Sequence, residues 1–161
     1  LLGEYNAYQY PVNASQKVRT YGVSVGMNYY IYKSLAAYTN YTYSRIDTKD
    51  LTDPILPGYN TPRNKANIGI GGQNLVKGFG FNVNVKWVES FFWESPFGDG
   101  KIPTYFTLDL NASYEFDKFV TVQVGGSNVT NNKHIEAYGS PKIGGMVYAS
   151  LLFDLERNKK K

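Results

Sequence analysis

The stretch Phe79-Gly80-Phe81-Asn82-Val83-Asn84-Val85-Lys86-Trp87 decides the fold of this chain. Every second residue is large and apolar, and the residues between them are glycine, asparagine and lysine. Strand side chains alternate between the two sides of a sheet, so this spacing makes one greasy face and one small polar face. A helix would need apolar residues three and four apart, and none stand there.

The same period continues on both sides. Phe106, Leu108, Leu110, Ala112, Tyr114 and Phe116 alternate with Tyr105, Thr107, Asp109, Asn111, Ser113 and Glu115. Upstream, Tyr21, Val23, Val25, Met27, Tyr29 and Ile31 alternate with Gly22, Ser24, Gly26, Asn28 and Tyr30. Weaker copies place Leu35, Ala37, Thr39, Tyr41 and Tyr43 opposite Ala36, Tyr38, Asn40, Thr42 and Ser44. Three more centre on Ala66, Ile68 and Ile70, on Val120, Val122 and Val124, and on Val147, Ala149, Leu151 and Phe153. Residues 1–10 are read as one further strand of poor alternation, for a total of about eight. The expected fold is all-β.

Composition narrows the function. The 161 residues fit one domain; the barrel portion is expected over residues 1–155, with a charged tail at 156–161. Without cysteine, and with His134 as the one histidine, disulfides, thiolate nucleophiles and multi-histidine metal sites are excluded. The net charge of +4 leans on the terminal Lys159, Lys160 and Lys161, read as a solvated tail and not as a nucleic-acid contact. No basic, apolar leader opens the sequence, and no apolar run reaches the roughly 18 residues of a membrane helix. Transmembrane strands are apolar on one face only, so the membrane stays open to them.

The connections point there. Short turns are expected at Tyr32-Lys33-Ser34, Val76-Lys77 and Asp117-Lys118, and longer polar or Pro/Gly-rich loops at 11–16, 48–62, 94–102 and 130–142. Such alternation puts all short turns at one end of an antiparallel up-and-down meander, as in outer-membrane barrels with short periplasmic turns and long outer loops. Aromatic residues near strand ends (Tyr29, Tyr30, Tyr32, Trp87, Phe91, Phe92, Trp93) suit interfacial girdles. The polar face is mostly Gly, Ser, Thr, Asn and Gln, which suits a wetted lumen wall better than a solvent-facing surface. Glycines there (Gly22, Gly26, Gly69, Gly71, Gly80, Gly125) would fill the interior of an eight-stranded barrel poorly, which favours membership of a wider one.

Several stretches carry a family resemblance. Lys17-Val18-Arg19-Thr20-Tyr21-Gly22-Val23 with Met27-Asn28-Tyr29-Tyr30 resembles a late barrel strand of TonB-dependent outer-membrane receptors of the Bacteroidetes type. Tyr41-Thr42-Tyr43-Ser44-Arg45 with Asn60-Thr61-Pro62-Arg63-Asn64-Lys65 is similar to a further stretch of that family. So are Gly125-Gly126-Ser127-Asn128-Val129-Thr130-Asn131-Asn132-Lys133 and Tyr138-Gly139-Ser140-Pro141 before the final strand. The family's Gly-Arg before that strand reads Gly144-Gly145 here, and Phe153 is followed by a charged tail. The resemblance implies a transmembrane sheet belonging to a barrel of about 22 strands. It implies as partners the remaining strands and plug of the same receptor, TonB acting through that plug, outer-membrane lipid, the barrel-assembly machinery, and a small-molecule or glycan nutrient. Tyr148, Leu151 and Phe153 mark the candidate assembly-signal strand.

No cofactor, metal or enzymatic chemistry is expected. His134 has no nucleophile motif beside it, Asp47, Asp50 and Asp53 lack the spacing of a calcium loop, and Gly69-Ile70-Gly71-Gly72 lacks the GK[ST] of a phosphate loop. The candidate ligand contacts are Phe91, Phe92, Trp93, Phe97 and Asp99, in an aromatic loop held on a rigid scaffold. Two other functions fit the same pattern: a self-contained eight-stranded outer-membrane barrel with a structural or adhesion role, and a soluble β-barrel for a lipophilic ligand.

Overall fold

The computed structural model describes residues 2–5, 8–11, 17–48, 58–95, 98–117 and 119–154. Among them every regular element is a strand. β1 (Leu2–Tyr5) and β2 (Tyr8–Pro11) pair only with each other. The opening segment, expected as one strand, is thus a short hairpin.

The main sheet has seven antiparallel strands: β3 (Arg19–Tyr32), β4 (Leu35–Asp47), β5 (Asn64–Val76), β6 (Phe79–Val88), and then, after a hairpin of β7 (Phe91–Trp93) and β8 (Gly100–Ile102), β9 (Tyr105–Asp117), β10 (Val120–Ser127) and β11 (Met146–Phe153). Spatial order follows chain order from β3 to β11, with β7 and β8 standing apart as their own pair. Three short connections, after β3, β5 and β9, lie at one end. The long ones, residues 48–63, 89–104 and 128–145, lie at the other. Residues 12–16, 49–57 and 118 of the expected loops and turns, and the tail at 156–161, lie outside the described residues.

The short turns are made by local chemistry. Lys33 takes a positive φ of 42° between β3 and β4. At the next turn Gly78 has φ 85°. A Cβ on Gly78 would also lie 2.6 Å from the Glu115 carbonyl oxygen, so glycine is required twice over. The Asn74 side chain accepts the Gly78 N–H at 2.8 Å and closes the bulge at the end of β5.

Register converts alternation into two surfaces. One row joins Met27, Thr39, Ile68, Val85 and Leu108, and the next joins Tyr29, Ala37, Ile70, Val83 and Leu110. This face is bare: Val25 is 62% exposed and Ile68 63%. Water would charge about 25 cal/mol for each Å² of such surface; hydrocarbon charges nothing, and a strand of 9–11 residues tilted near 45° spans it. Aromatics bracket the aliphatic band. Tyr41, Trp87 and Phe106 stand in one row toward the long loops, and Phe79 pairs with Tyr114 toward the short turns. Two girdles around an aliphatic band are the signature of a strand wall in lipid.

The opposite face carries the row Tyr30, Ala36, Gly71, Asn82, Asn111, Gly125 and Tyr148. Two glycines of this face, Gly69 and Gly125, are roofed by tyrosine rings. A Cβ on Gly69 would meet the Tyr38 ring at 2.2 Å, and one on Gly125 the Tyr148 ring at 2.6 Å. The Tyr38 hydroxyl sits 3.2 Å from Asn82 Oδ1 and 3.4 Å from Asn84 Oδ1. Asn111 Nδ2 donates to the Tyr148 hydroxyl at 2.9 Å. Both of these glycine–tyrosine pairs, Gly69 with Tyr38 and Gly125 with Tyr148, are direct cross-strand pairs, so ring and gap are matched by register.

Candidate functional site at the long-loop rim

The buried core of the described residues is small and lies at the long-loop end, on the polar side of the sheet. Val88, Ile102 and Tyr105 are its buried members, with Phe91, Trp93 and Ile135 packed against them. Val88 and Tyr105 face each other across β6 and β9, on the face that Lys86 and Thr107 share. The β7–β8 hairpin lays Phe91 and Ile102 over them. The loop 128–145 closes the cluster from the other side.

That loop is built by Asn128. Its φ is +50° and it is 3% exposed. The side chain accepts the Asn132 N–H at 3.0 Å and donates Nδ2 to the Asn132 carbonyl at 2.9 Å. Asp109 holds the loop's root, accepting from Ser127 Oγ at 3.0 Å and from the Asn128 N–H at 2.8 Å. Asn131 Oδ1 takes the Gly145 N–H at 3.0 Å and ties the return limb. Backbone bonds between His134 and Ile143 zip the middle.

His134 is then pressed on Tyr105. Its ring centroid lies 4.2 Å from that of Tyr105 with planes 16° apart, and its Nδ1 is 2.8 Å from the Asn132 carbonyl. Glu136 Oε1 accepts from Lys86 Nζ at 3.2 Å and from the Tyr105 hydroxyl at 3.2 Å, and His134 Nε2 stands 3.7 Å from it. Burial pushes the Glu136 carboxyl up, but the Lys86 ammonium, the Tyr105 hydroxyl and His134 outweigh it and hold it below its ordinary value. The cluster fastens the loop to the ends of β6 and β9. Among the described residues no group of three acidic or histidine side chains is placed to hold a metal.

Two further contacts join the outer loops. Asn60 and Glu94 exchange bonds in both directions, Asn60 Nδ2 to the Glu94 carbonyl at 2.8 Å and Glu94 N–H to Asn60 Oδ1 at 2.7 Å. Tyr138 lies over Gly100, where a Cβ would stand 2.1 Å from its ring. Loop 58–63, the β7–β8 hairpin and loop 128–145 therefore form one continuous shelf over the polar face.

The aromatic loop divides by strand parity. Phe91 and Trp93 turn into the core, their rings 6.4 Å apart, while Phe92 between them is 54% exposed. Asp99 is exposed at the tip, and Phe97 lies outside the described residues. On β11, Leu151 and Phe153 stand bare on the apolar face and Tyr148 on the other. Of the loop acids, Asp47 ends β4, and Asp50 and Asp53 lie outside the described residues. Sequence reading missed Glu136, Tyr105 and Tyr138. The available signal was parity: Val88, Tyr105, Tyr38 and Tyr148 are large apolar or aromatic residues at positions where the polar face is due.

An antiparallel meander with a lipid-facing band, two aromatic girdles and long loops packed over its polar side defines a wall segment of an outer-membrane β-barrel. Residues 2–129 match the family described as TonB dependent receptor-like, beta-barrel, and the chain belongs to that family. Its place is accordingly the bacterial outer membrane. No curated protein matches the sequence. Among solved structures, the siderophore receptor PiuA from Acinetobacter baumannii superposes with a TM-score of 0.66 at 14% identity, over 85% of this chain and 22% of its own. FpvA of Pseudomonas aeruginosa, in complexes with heterologous pyoverdines, gives 0.64 at 13% identity, over 85% and 20%. The chain thus spans about a fifth of the length of these receptors, and its fold is that of part of a larger barrel.

Proposed function

We propose that the chain forms wall and outer rim of a TonB-dependent transporter that takes up a nutrient ligand, a siderophore, glycan or similar molecule. The single observation that carries this reading is the two-sidedness of the sheet. One face is bare aliphatic surface between girdles; the other is amide-lined and covered at its outer end by interlocked loops. A soluble carrier would put charge where Val25 and Ile68 stand. Plug and remaining strands of the same receptor would face the amide wall and continue the sheet beyond β3 and β11, whose outer edges have no partner among the described residues. Within the shelf, Phe92 and Asp99 are the members of the aromatic loop placed to touch ligand, while Phe91 and Trp93 hold it up. β11, with Leu151 and Phe153 outward and Tyr148 inward, is the strand we assign to the barrel-assembly machinery.

The test is uptake by cells expressing the intact receptor that carries this chain. A panel of ferric siderophores, the class named for PiuA, and of oligosaccharides is offered with and without TonB. Energy-dependent accumulation of one class, lowered about tenfold by Phe92→Ala without loss of folded protein, supports the reading; a stacked aromatic contact is worth roughly 0.5–1.5 kcal/mol beyond its buried area, and tenfold is about 1.4 kcal/mol. Accumulation of none, or accumulation indifferent to TonB, overturns it.

A further inference from the structure

The outward face does not end cleanly at the aromatic girdle. One register step beyond Val23 and Tyr43, β3 and β4 pair Tyr21 with Arg45, and the step after that pairs Arg19 with Asp47. Arg63, at the foot of β5, turns back across this face: its guanidinium carbon stands 5.5 Å above the Tyr43 ring and its Nη2 is 3.4 Å from the Tyr43 hydroxyl. Arg45 follows Tyr43 two residues on along the same face of β4, opposite Tyr21, and its guanidinium also bears on that hydroxyl. Both arginines are exposed.

Two carboxylates stand nearby. Asp47 stands across from Arg19, and Glu89 accepts the side-chain amide of Asn64, which in turn takes the Tyr41 hydroxyl. Two guanidiniums therefore stand beside one phenol at the level where the aliphatic band gives way to headgroups.

We propose that Arg45 and Arg63, with the Tyr43 hydroxyl between them, bind the phosphate of a lipid in the outer leaflet. Several features favour this occupant. The site lies on the lipid-facing side, in line with Val23 and Val25, so a ligand there needs an acyl body as well as an anion. Guanidinium forks match phosphate oxygens two at a time, and basic residues at the membrane surface draw anionic headgroups. Tyr21 and Tyr43 supply the amphipathic rings that rest at that depth. Of the outer-membrane setting, the proposal uses only which end of the sheet faces outward, so it stands or falls apart from the question of what the receptor transports.

The probe is lipopolysaccharide, titrated into the intact receptor carrying this chain in dodecyl maltoside micelles and read by native mass spectrometry. The wild type is expected to hold lipid, R45Q/R63Q to bind about thirtyfold more weakly, and R45K/R63K to fall between, keeping charge but losing the fork. K33Q, which removes one charge as R63Q does, is the control for position, since Lys33 stands over the Tyr32 ring at the short-turn end and faces the other leaflet. Binding by R45Q/R63Q within twofold of wild type overturns the proposal, as does an equal loss in K33Q. Displacement of the lipid by an equal concentration of inorganic phosphate also overturns it, because the site would then read the anion alone. Should the double variant fail to run as a compact unheated band, R63Q by itself carries the test, with about a fivefold loss expected.

Discussion

The imidazole of His134 lies flat on the phenol of Tyr105, centroids 4.2 Å apart, and joins a long loop to the end of a barrel strand. Stacked rings are worth roughly 0.5–1.5 kcal/mol beyond their buried area. His134→Ala is therefore expected to free loop 128–145 while leaving the sheet intact. Hydrogen exchange of the intact receptor checks this: peptides from that loop should exchange about tenfold faster, and those from β9 and β10 at the wild-type rate.

Glu136 gives the same loop a pH dependence. Its carboxyl is held below the ordinary value, after Lys86, Tyr105 and His134 outweigh burial. A depressed carboxylate stabilises above its unfolded value, about 4.3, and that contribution is lost as pH falls through the lower folded value. Protection of the loop against proteolysis should hold from pH 7 to 5 and decline in more acid solution. Glu136→Gln should make this profile flat. The side chain is 47% exposed, so the effect is small and local; a profile in the variant as steep as in wild type would remove Glu136 from the account.

Two glycines on one face of β3 make a stricter comparison. A Cβ on Gly22 would lie 2.4 Å from the Tyr43 carbonyl oxygen, whereas one on Gly26 has nothing closer than 3.8 Å. Gly22→Ala must move backbone and is expected to cost about 1–3 kcal/mol; Gly26→Ala should be neutral or slightly stabilising. Urea midpoints of the two refolded receptors in micelles decide it, and equal midpoints would contradict the geometry.

Asn128 separates strain from bonding. Asn128→Ala loses both bonds to Asn132 and keeps a left-handed φ, for an expected cost of about 2–4 kcal/mol. Asn128→Gly loses the bonds but relieves the backbone, and should cost about 1 kcal/mol less. The gap is read from the thermal midpoints of the two variants.

Most of the sheet was legible because a period of two has one meaning once both faces are named. Alternation alone puts strands over Phe79–Trp87 and Thr104–Phe116, within a residue of the observed ends at Val88, Tyr105 and Asp117, and it sorts Asn82 and Asn111 from Val83 and Leu110. The shelf was not legible to the same degree. Lys86 and Glu136 are fifty positions apart, and nothing local in either tells of the other. Phe91, Phe92 and Trp93 read as one aromatic cluster in sequence, yet their pairing with Ile102, Lys101 and Gly100 sends them to opposite sides. The opening residues failed for a different reason: Leu2, Tyr5, Tyr8 and Tyr10 keep no single period.

Spatial order equal to chain order has a consequence for how such a wall can lengthen or shorten. Removing β5 and β6 together would leave β4 running antiparallel to β9, each still presenting its apolar residues to the same side. Removing β5 alone would set β4 beside β6 in the same direction, which a tight turn cannot join. Change in this architecture therefore comes in hairpins, one down-and-up excursion at a time, and the girth of the pore is counted in twos.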